Sequence, residues 1–188
     1  MKRRKLLQAL LAAAALPLVP ACARVGGEAG PAGSAVGSSA GGSAASGSEI
    51  PVLAHPDSYW RDKVSPAAFA VLFDEDTERA FSSPLDREKR EGTFVCSACY
   101  LPLFDSAAKF DSGTGWPSFT RPISAARVGT KRDFLMLMPR TEYHCARCGG
   151  HQGHIFDDGP PPLGKRWCNN GLALAFVPRA QALPQLRG

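Results

Sequence analysis

The sequence predicts a mainly β domain of antiparallel strands with short helices at its N-terminal side. Short apolar runs separated by turn-forming glycine and proline residues predict strands at GTFVC (92–96), DFLMLM (133–138) and LALAFV (172–177). Ser65 followed by Pro66 is typical of a helix N-cap and first helical position, so we place a short helix over about 66–74. Two CxxC pairs lie far apart in the chain and indicate that a metal ion joins distant hairpins.

Residues 1–22 have the organisation of a signal peptide. A basic region (KRRK, 2–5) precedes the apolar run LLQALLAAAALPLV, which is shorter than the about 20 residues of a transmembrane helix. The Arg3-Arg4 pair is compatible with twin-arginine export, and VPAC (19–22) resembles a bacterial lipobox. We therefore expect an exported protein of the bacterial periplasm, tethered to the membrane as a lipoprotein through Cys22. The alternative is a soluble secreted form cleaved near this point.

The rest of the chain divides into three parts. Residues 23–55 are largely Gly-, Ala- and Ser-rich without apolar periodicity, which predicts a disordered tether because such a segment cannot bury enough surface to fold. Residues 56–180 have the composition of a single globular domain. Residues 181–188 form a C-terminal tail.

The net charge of +5 does not indicate a nucleic-acid partner. Four of the 22 basic residues lie in the leader, so the mature chain carries about +1. Sequence-independent binding to phosphates requires a clustered basic surface, and the sequence shows none outside the leader. We therefore expect no nucleic-acid partner.

Four of the six cysteines form the two CxxC pairs, Cys96 with Cys99 and Cys145 with Cys148. Two such pairs suit one tetrahedral structural Zn²⁺ per chain, because each pair supplies two thiolates to the same ion. An ion that is fully coordinated in this way stabilises the fold and leaves no open position for substrate. Disulfide bonds in an oxidising compartment, or a redox-active pair, are the alternatives.

Cys168, in GKRWCNNG (164–171), remains without a nearby cysteine. An unpaired cysteine in an exported protein indicates a reactive thiol or a cross-link between chains. A buried apolar filler is the common structural role of such a residue. The surrounding motifs therefore decide between these interpretations.

Three segments resemble the B-type methionine sulfoxide reductases, which reduce methionine-R-sulfoxide: FDSGTGWPSF (110–119), RTEYHCARCGGHQGHIFDDGP (140–160) and GKRWCNNG (164–171). The likeness extends over residues 64–176. It implies a β-tent fold of two antiparallel sheets, zinc on the four paired cysteines, free or protein-bound methionine-R-sulfoxide as substrate, and an external, thioredoxin-like thiol as reductant. It also implies the site roles: Cys168 as nucleophile, Trp116 and Phe156 in substrate binding, and His151, His154, Arg166 and Asn170 as further catalytic residues.

The residue chemistry agrees with this implication. A sulfoxide is reduced when a soft nucleophile attacks sulfur while the oxygen is protonated, and a thiolate suits that attack. Arg166 would share the strand face of Cys168, where its charge favours the thiolate. His154 suits the general-acid role, and Trp116 an apolar wall for the methyl group. Taken singly, Trp116 is compatible with an ordinary core aromatic, and the two histidines with loop or metal-binding residues.

One position departs from the family pattern. Thr114 in SGTGWPSF replaces the recycling cysteine that many members carry in SGCGWPSF. Cys22 is a poor substitute, because it is lipidated or removed, or else lies at the end of a flexible tether. We therefore expect Cys168 to work without an intramolecular partner. Trp167 and Asn169 stand where a smaller aromatic and an aliphatic residue are expected, and they predict an altered pocket shape.

Three other functions are compatible with parts of the sequence. A zinc-ribbon binding module would use the CxxC pairs alone, but export and the nearly neutral mature charge argue against it. A cysteine peptidase would use Cys168, His154 and Asn170, and leaves the Trp116 motif without a role. An inert structural lipoprotein is the third alternative.

Overall fold

The computed structural model describes residues 50–133 and 140–188, which belong to one compact unit spanning Ala45–Gly188. The predicted signal peptide, the predicted tether as far as residue 49, and Cys22 lie outside the described residues. So do residues 134–138 of the strand predicted over 133–138. Within the described ranges, no helix combines the length and apolar character needed to cross a membrane.

The predicted N-terminal helix is confirmed as α1 (Pro66–Phe73), which follows a 3₁₀ turn at Asp57–Trp60. Ser65 caps it, because its Oγ accepts a hydrogen bond from the Ala68 amide at 3.2 Å. Pro66 occupies the first helical turn, where a missing N–H costs nothing. The helix buries Phe69, Val71 and Leu72.

Nine strands occur in the described ranges: β1 (Gly92–Cys96), β2 (Pro102–Asp105), β3 (Lys109–Phe110), β4 (Ser118–Phe119), β5 (Val128–Asp133), β6 (Arg140–Cys145), β7 (His151–Phe156), β8 (Arg166–Asn169) and β9 (Leu174–Pro178). They form a three-stranded sheet in the order β2-β1-β9 and a six-stranded sheet in the order β3-β4-β8-β7-β6-β5. Every pairing is antiparallel. The prediction of a mainly β fold with two antiparallel sheets is thus confirmed.

The predicted strands agree with the observed ones to different degrees. β1 covers the predicted range 92–96. β9 begins two residues later than the predicted 172–177, because Gly171–Ala173 form a 3₁₀ turn before it. Asp133 is the last residue of β5, which begins at Val128 in a stretch that lacks the apolar pattern of a buried strand.

Aromatic side chains join the two sheets in a common core. Phe94 of β1 and Phe104 of β2 both pack on Phe119 of β4, with ring centroids 5.0 and 4.2 Å apart respectively. Tyr143 of β6 meets the edge of Phe104 at 6.0 Å. Because buried aromatic contacts are a large source of packing energy, this core fixes β4 and β6 on either side of β8 and β7.

Both ends of the described chain contact the CxxC segments. The amide of Leu53 donates to the carbonyl of Arg147, at 2.7 Å, and the amide of Arg187 donates to the carbonyl of Cys99, at 3.0 Å. Contacts of the folded unit therefore extend beyond both limits of the range 56–180 that composition indicates.

Candidate active site and metal centre

The four paired cysteines come together between the two sheets. Cys96 ends β1 and Cys145 ends β6, and each is followed by the turn that carries its partner. The Sγ atoms of Cys96 and Cys148 lie 3.6 Å apart, and those of Cys99 and Cys145 lie 3.5 Å apart. All four ligand atoms lie within 4.8 Å of one another, and none of these cysteines is in a disulfide. The cluster is therefore able to hold a metal ion.

The donor set fits a tetrahedral zinc ion. With Zn–S bonds of about 2.3 Å, tetrahedral thiolates lie about 3.8 Å apart, which is close to the sulfur separations in this cluster. Gln152 supports the same chemistry, because its Nε2 lies 3.6 Å from Cys96 Sγ and donates towards it. An N–H donor beside a sulfur ligand is typical of the groups that surround bound metals.

Cys168 lies in β8 between two polar neighbours. It pairs with Ser118 of β4 on one side and with His154 of β7 on the other. Side chains of directly paired residues point to the same face of a sheet, so the three form a polar row across three strands. A cavity of about 110 Å³ opens at Cys168 and His154 of this row; its lining residues are Thr77, Trp116, Arg140, Gly153, His154, Phe156, Cys168, Asn169 and Asn170.

Burial and a nearby cation act in opposite directions on Cys168. Burial raises the pKa of the Cys168 thiol above its ordinary value, and the charge and hydrogen bond of Arg166 partly offset this rise. Arg166 is held in place by Asp158, whose oxygens accept from Nε at 2.8 Å and from Nη2 at 2.9 Å. Its guanidinium carbon also lies 4.2 Å from the ring centroid of Phe156. The resting site therefore favours a thiol beside a fixed cation.

His154 is oriented by Asp133 at the end of β5. Its Nε2 lies 2.9 Å from Asp133 Oδ2, which also accepts from Arg140 Nη2 at 2.7 Å. Burial lowers the pKa of His154, and the hydrogen bond to Asp133 partly opposes that effect. The imidazole is therefore mainly neutral at neutral pH and lies directly across from Cys168.

His151 lies beside His154 but is not among the residues that line the cavity. It is buried, its Nδ1 is 3.0 Å from Glu142 Oε1, and its ring centroid is 5.4 Å from that of His154. Arg166 also lies outside the cavity lining and reaches Cys168 from its own strand. These two predicted site residues thus border the cavity rather than face it.

Asn170 and Trp116 are fixed by hydrogen bonds to backbone groups. Asn170 Nδ2 donates to the carbonyl of Gln152 at 3.2 Å, and its Oδ1 accepts from the amide of Glu78 at 3.1 Å. Trp116 Nε1 donates to the carbonyl of Glu78 at 3.1 Å. Sequence reasoning missed Glu78 and Asp133, because neither belongs to a motif with recognisable chemistry. The only signal for Glu78 is its place in TERAFSSP, within the region of resemblance.

The two unusual neighbours of Cys168 have defined partners. Asn169 is buried, and its Oδ1 accepts from the Tyr143 hydroxyl at 2.7 Å while its Nδ2 donates to the carbonyl of Asn170 at 2.8 Å. Trp167 packs edge-on against Tyr143, with ring centroids 4.9 Å apart. Where an aliphatic residue would contribute apolar packing to the cavity wall, Asn169 therefore contributes two hydrogen bonds.

Thr114 belongs to a chain of hydroxyl groups that leads to the partner of Cys168. Ser112 Oγ lies 2.8 Å from Thr114 Oγ1 and 2.8 Å from Ser118 Oγ. Among the cysteines of the described ranges, all except Cys168 belong to the four-cysteine cluster.

The chain is similar to a known domain family and to proteins of that family. The SelR domain matches residues 64–178. A peptide methionine sulfoxide reductase MsrB of Bradyrhizobium diazoefficiens is 50% identical over 120 residues, which cover 64% of this chain and 86% of that protein. The protein of the same name from Thiobacillus denitrificans is 46% identical over 123 residues, or 65% and 93% of the two chains. That of Methanosarcina barkeri is 48% identical over 117 residues, or 62% and 82%.

Proposed function

The chain belongs to the SelR family of B-type methionine sulfoxide reductases, and we propose that it reduces the R epimer of methionine sulfoxide through nucleophilic attack by Cys168. This makes it an oxidoreductase that acts on a sulfur group and repairs oxidised methionine. The observation that carries the proposal is the position of Cys168 in a small cavity, directly across from His154 and sharing its lining with Trp116.

The thiol of Cys168 itself supplies the proton that the first half of the reaction needs. The Cys168 sulfur attacks the sulfoxide sulfur, and the thiol proton passes to the sulfoxide oxygen. The hydroxyl then moves from the methionine sulfur to the Cys168 sulfur as the bond between the two sulfurs breaks. Methionine leaves as the thioether and Cys168 becomes a sulfenic acid, so two electrons have moved from Cys168 to the substrate. A neutral His154 suits this step because it accepts the proton from Cys168 and delivers it to the oxygen. Asp133 stabilises the transient imidazolium.

Arg166 lowers the cost of forming the thiolate in a buried site. A buried thiol ionises reluctantly, and the guanidinium held by Asp158 supplies the compensating charge. The ring of His151 packs against the ring of His154 and helps to hold it in place. The side chain of Asn170 donates to the backbone of β7 and so keeps the chain after Cys168 next to that strand.

The cavity suits a side-chain end better than a large ligand. At about 110 Å³ it is smaller than the roughly 300–1,000 Å³ of typical ligand pockets. Trp116 and Phe156 supply apolar surface for the methyl group, and Cys168 and His154 meet the sulfoxide. Methionine-R-sulfoxide in a protein or as the free amino acid meets these requirements.

Recycling of Cys168 requires a thiol from outside the chain. The sulfenic acid reacts with one external thiol to form a mixed disulfide and water, and a second thiol releases Cys168. The hydroxyl of Thr114 stands where a recycling cysteine is expected and has no redox chemistry of this kind. A thioredoxin-like dithiol supplies both thiols.

We propose that Cys96, Cys99, Cys145 and Cys148 hold one structural Zn²⁺. The four sulfur donors and their separations support this choice of metal. When bound, the ion ties the two sheets together. It takes no part in the reaction, because four protein ligands complete a tetrahedral site.

We also propose that the protein is exported to the bacterial periplasm and anchored there by a lipid on Cys22. The basic leader, its apolar run and the VPAC sequence support this proposal. Mass spectrometry of the mature protein tests it: a lipidated Cys22 at the N-terminus is expected, and an unmodified N-terminus at another residue would contradict it.

The enzymatic proposal is tested with the purified chain, each epimer of methionine sulfoxide, and dithiothreitol. We expect the R epimer to be consumed, the S epimer to remain, and Cys168→Ser to abolish activity because serine lacks a usable thiolate. A Cys22→Ser chain is the matched control and should keep full activity. Cys168→Ser activity above about a few per cent of wild type would refute the assignment.

A further inference from the structure

Glu78 is a buried carboxylate at the back of the candidate active site. Its residue is only 7% exposed, and it lies in the connection between α1 and β1, outside any helix or strand. Its Oε1 accepts from the Gly171 amide at 2.7 Å, and its Oε2 accepts from the Leu172 amide at 2.8 Å. A buried carboxylate is costly unless hydrogen bonds satisfy its oxygens, and here both oxygens bind the turn that follows Cys168 and Asn170.

The backbone of the same residue binds two further parts of the site. The Glu78 amide donates to Asn170 Oδ1 at 3.1 Å, and the Glu78 carbonyl accepts from Trp116 Nε1 at 3.1 Å. The neighbouring amide of Phe81 donates to the carbonyl of Gly115 at 2.7 Å. One short connection thus holds the loop of Trp116 on one side and the turn after Cys168 on the other.

We propose that Glu78 is a positioning residue that fixes Trp116 and residues 170–172 relative to Cys168, so that a substrate methyl group and sulfur are presented to the thiol in one orientation. This inference rests on the proposed reductase function. Its energetic basis is that the carboxylate anchors a segment without regular structure. When the carboxylate is removed, the backbone contacts of that segment to Trp116 and Asn170 lose their support. Small displacements of positioned groups lower the rate of a reaction strongly.

The charge of Glu78 points to positioning rather than activation of the thiol. Burial is the main cause that raises the pKa of Cys168, and the negative charge of Glu78 adds to that rise. A residue whose role was to activate the thiolate would act in the opposite direction. Loss of Glu78 should therefore lower turnover without moving the ionisation of Cys168 to higher pH.

The kinetic test compares Glu78→Gln and Glu78→Ala with wild type. Glutamine preserves size but offers an amide N–H to one of the two backbone donors, and alanine removes both acceptors. We expect kcat/KM for methionine-R-sulfoxide to fall by about tenfold in Glu78→Gln and further in Glu78→Ala. The pH midpoint of Cys168 alkylation by iodoacetamide should stay constant or move to lower pH. A midpoint that moves to higher pH, or an unchanged kcat/KM, would overturn the proposal.

Leu103→Ala is the matched control for simple destabilisation. Leu103 is buried in β2 of the small sheet and is not among the cavity-lining residues. It should lower Tm as a large-to-small core change does while kcat/KM, measured well below Tm, stays at the wild-type value. The role of Glu78 would be structural only if each degree of lost Tm were accompanied by the same loss of kcat/KM in Glu78→Gln and in Leu103→Ala.

A measurement independent of activity separates this inference from the proposed function. The indole N–H of Trp116 donates to Glu78, whereas Trp60 is buried in the core and serves as an internal reference. We expect hydrogen exchange of the Trp116 indole N–H, followed by NMR, to accelerate at least about tenfold in Glu78→Ala with Trp60 unchanged. Unchanged exchange at Trp116 would overturn the proposal, whether or not the wild-type chain reduces methionine sulfoxide.

Discussion

Cys168 shows how two neighbouring effects set the behaviour of one side chain. Its half-buried position disfavours the thiolate, and the guanidinium of Arg166 favours it. Arg166 is itself held by Asp158 and by the ring of Phe156. The reactivity that we propose for Cys168 therefore depends on a cation that the surrounding residues keep in place.

Replacement of Arg166 by glutamine should move the ionisation of Cys168 to higher pH. The positive charge lowers the pKa of the thiol, so its loss leaves burial without opposition and the thiolate forms only at higher pH. The pH dependence of the iodoacetamide alkylation rate measures the shift. Lys165→Gln, which removes an exposed cation one residue away, is the control and should leave the midpoint unchanged. An Arg166→Gln midpoint equal to that of wild type would contradict this account.

Oxidised Cys168 should persist as a sulfenic acid. One equivalent of substrate without reductant should leave a product that dimedone traps on Cys168, because the other described cysteines belong to the four-cysteine cluster and Thr114 carries a hydroxyl. Mass spectrometry identifies the adduct. A disulfide from Cys168 to Cys22 or to a cluster cysteine would show instead that another thiol reaches it.

A Thr114→Cys variant provides the matched comparison. Thr114 is linked through Ser112 to Ser118, the strand partner of Cys168. A cysteine there is expected to convert the dimedone-reactive form into an internal disulfide. Persistence of the dimedone adduct in this variant would show that the two positions do not meet.

The pairing of β7 with β8 brings His154 across from Cys168, and Gly153 makes that pairing possible. A Cβ added at Gly153 would overlap the carbonyl oxygen of Cys168. Only a residue without a side chain allows the two strands to approach this closely. The same two strands carry three further predicted site residues: His151 and Phe156 lie in β7, and Arg166 lies in β8.

Gly153→Ala should therefore separate β7 from β8 and lower both stability and activity. We expect a decrease in stability of about 1–3 kcal/mol, typical of forced overpacking, with kcat reduced more than KM is changed because His154 moves away from Cys168. Thermal unfolding and steady-state kinetics measure the two effects. Gly164→Asn is the control, since a Cβ there meets no atom within 4 Å and asparagine tolerates a positive φ. Wild-type kinetics in Gly153→Ala would show that the close approach is dispensable.

The four-cysteine cluster links the small and the large sheet, because Cys96 ends a strand of one and Cys145 ends a strand of the other. The aromatic core joins the same sheets through Phe94, Phe104 and Phe119. Both ends of the described chain also contact the CxxC segments. Metal binding and sheet packing are therefore expected to stabilise the domain together.

The purified chain should contain about one zinc ion, and Cys145→Ser should lose both the metal and thermal stability. Each kcal/mol of lost stability lowers Tm by about 2–8 °C in domains of this size range, so loss of a structural ion should lower it by more than about 10 °C. Elemental analysis and thermal unfolding measure the two quantities, with Cys22→Ser as the control. Freshly purified protein without metal, or with the four cysteines in disulfides, would exclude the zinc site.

Local patterns in the sequence were sufficient for several features. The N-cap at Ser65, the strand at 92–96 and the pairing of Cys96 with Cys99 each depend on neighbouring residues, because capping, alternation and the reach of two thiolates to one ion are short-range effects. The motifs around Trp116, His154 and Cys168 were sufficient to indicate the family and its reaction, since these side chains carry the chemistry themselves.

Tertiary structure alone decided how these groups act together. Glu78 binds Gly171, and Asp133 orients His154, only because the fold brings segments distant in sequence into contact. Ser118 lies beside Cys168 because β4 pairs with β8. The directions of the pKa shifts of Cys168 and His154 also required the folded chain, because the loss of solvent around a group depends on every element packed on it. Motifs specify which groups are present, whereas burial and long-range hydrogen bonds determine their protonation and orientation.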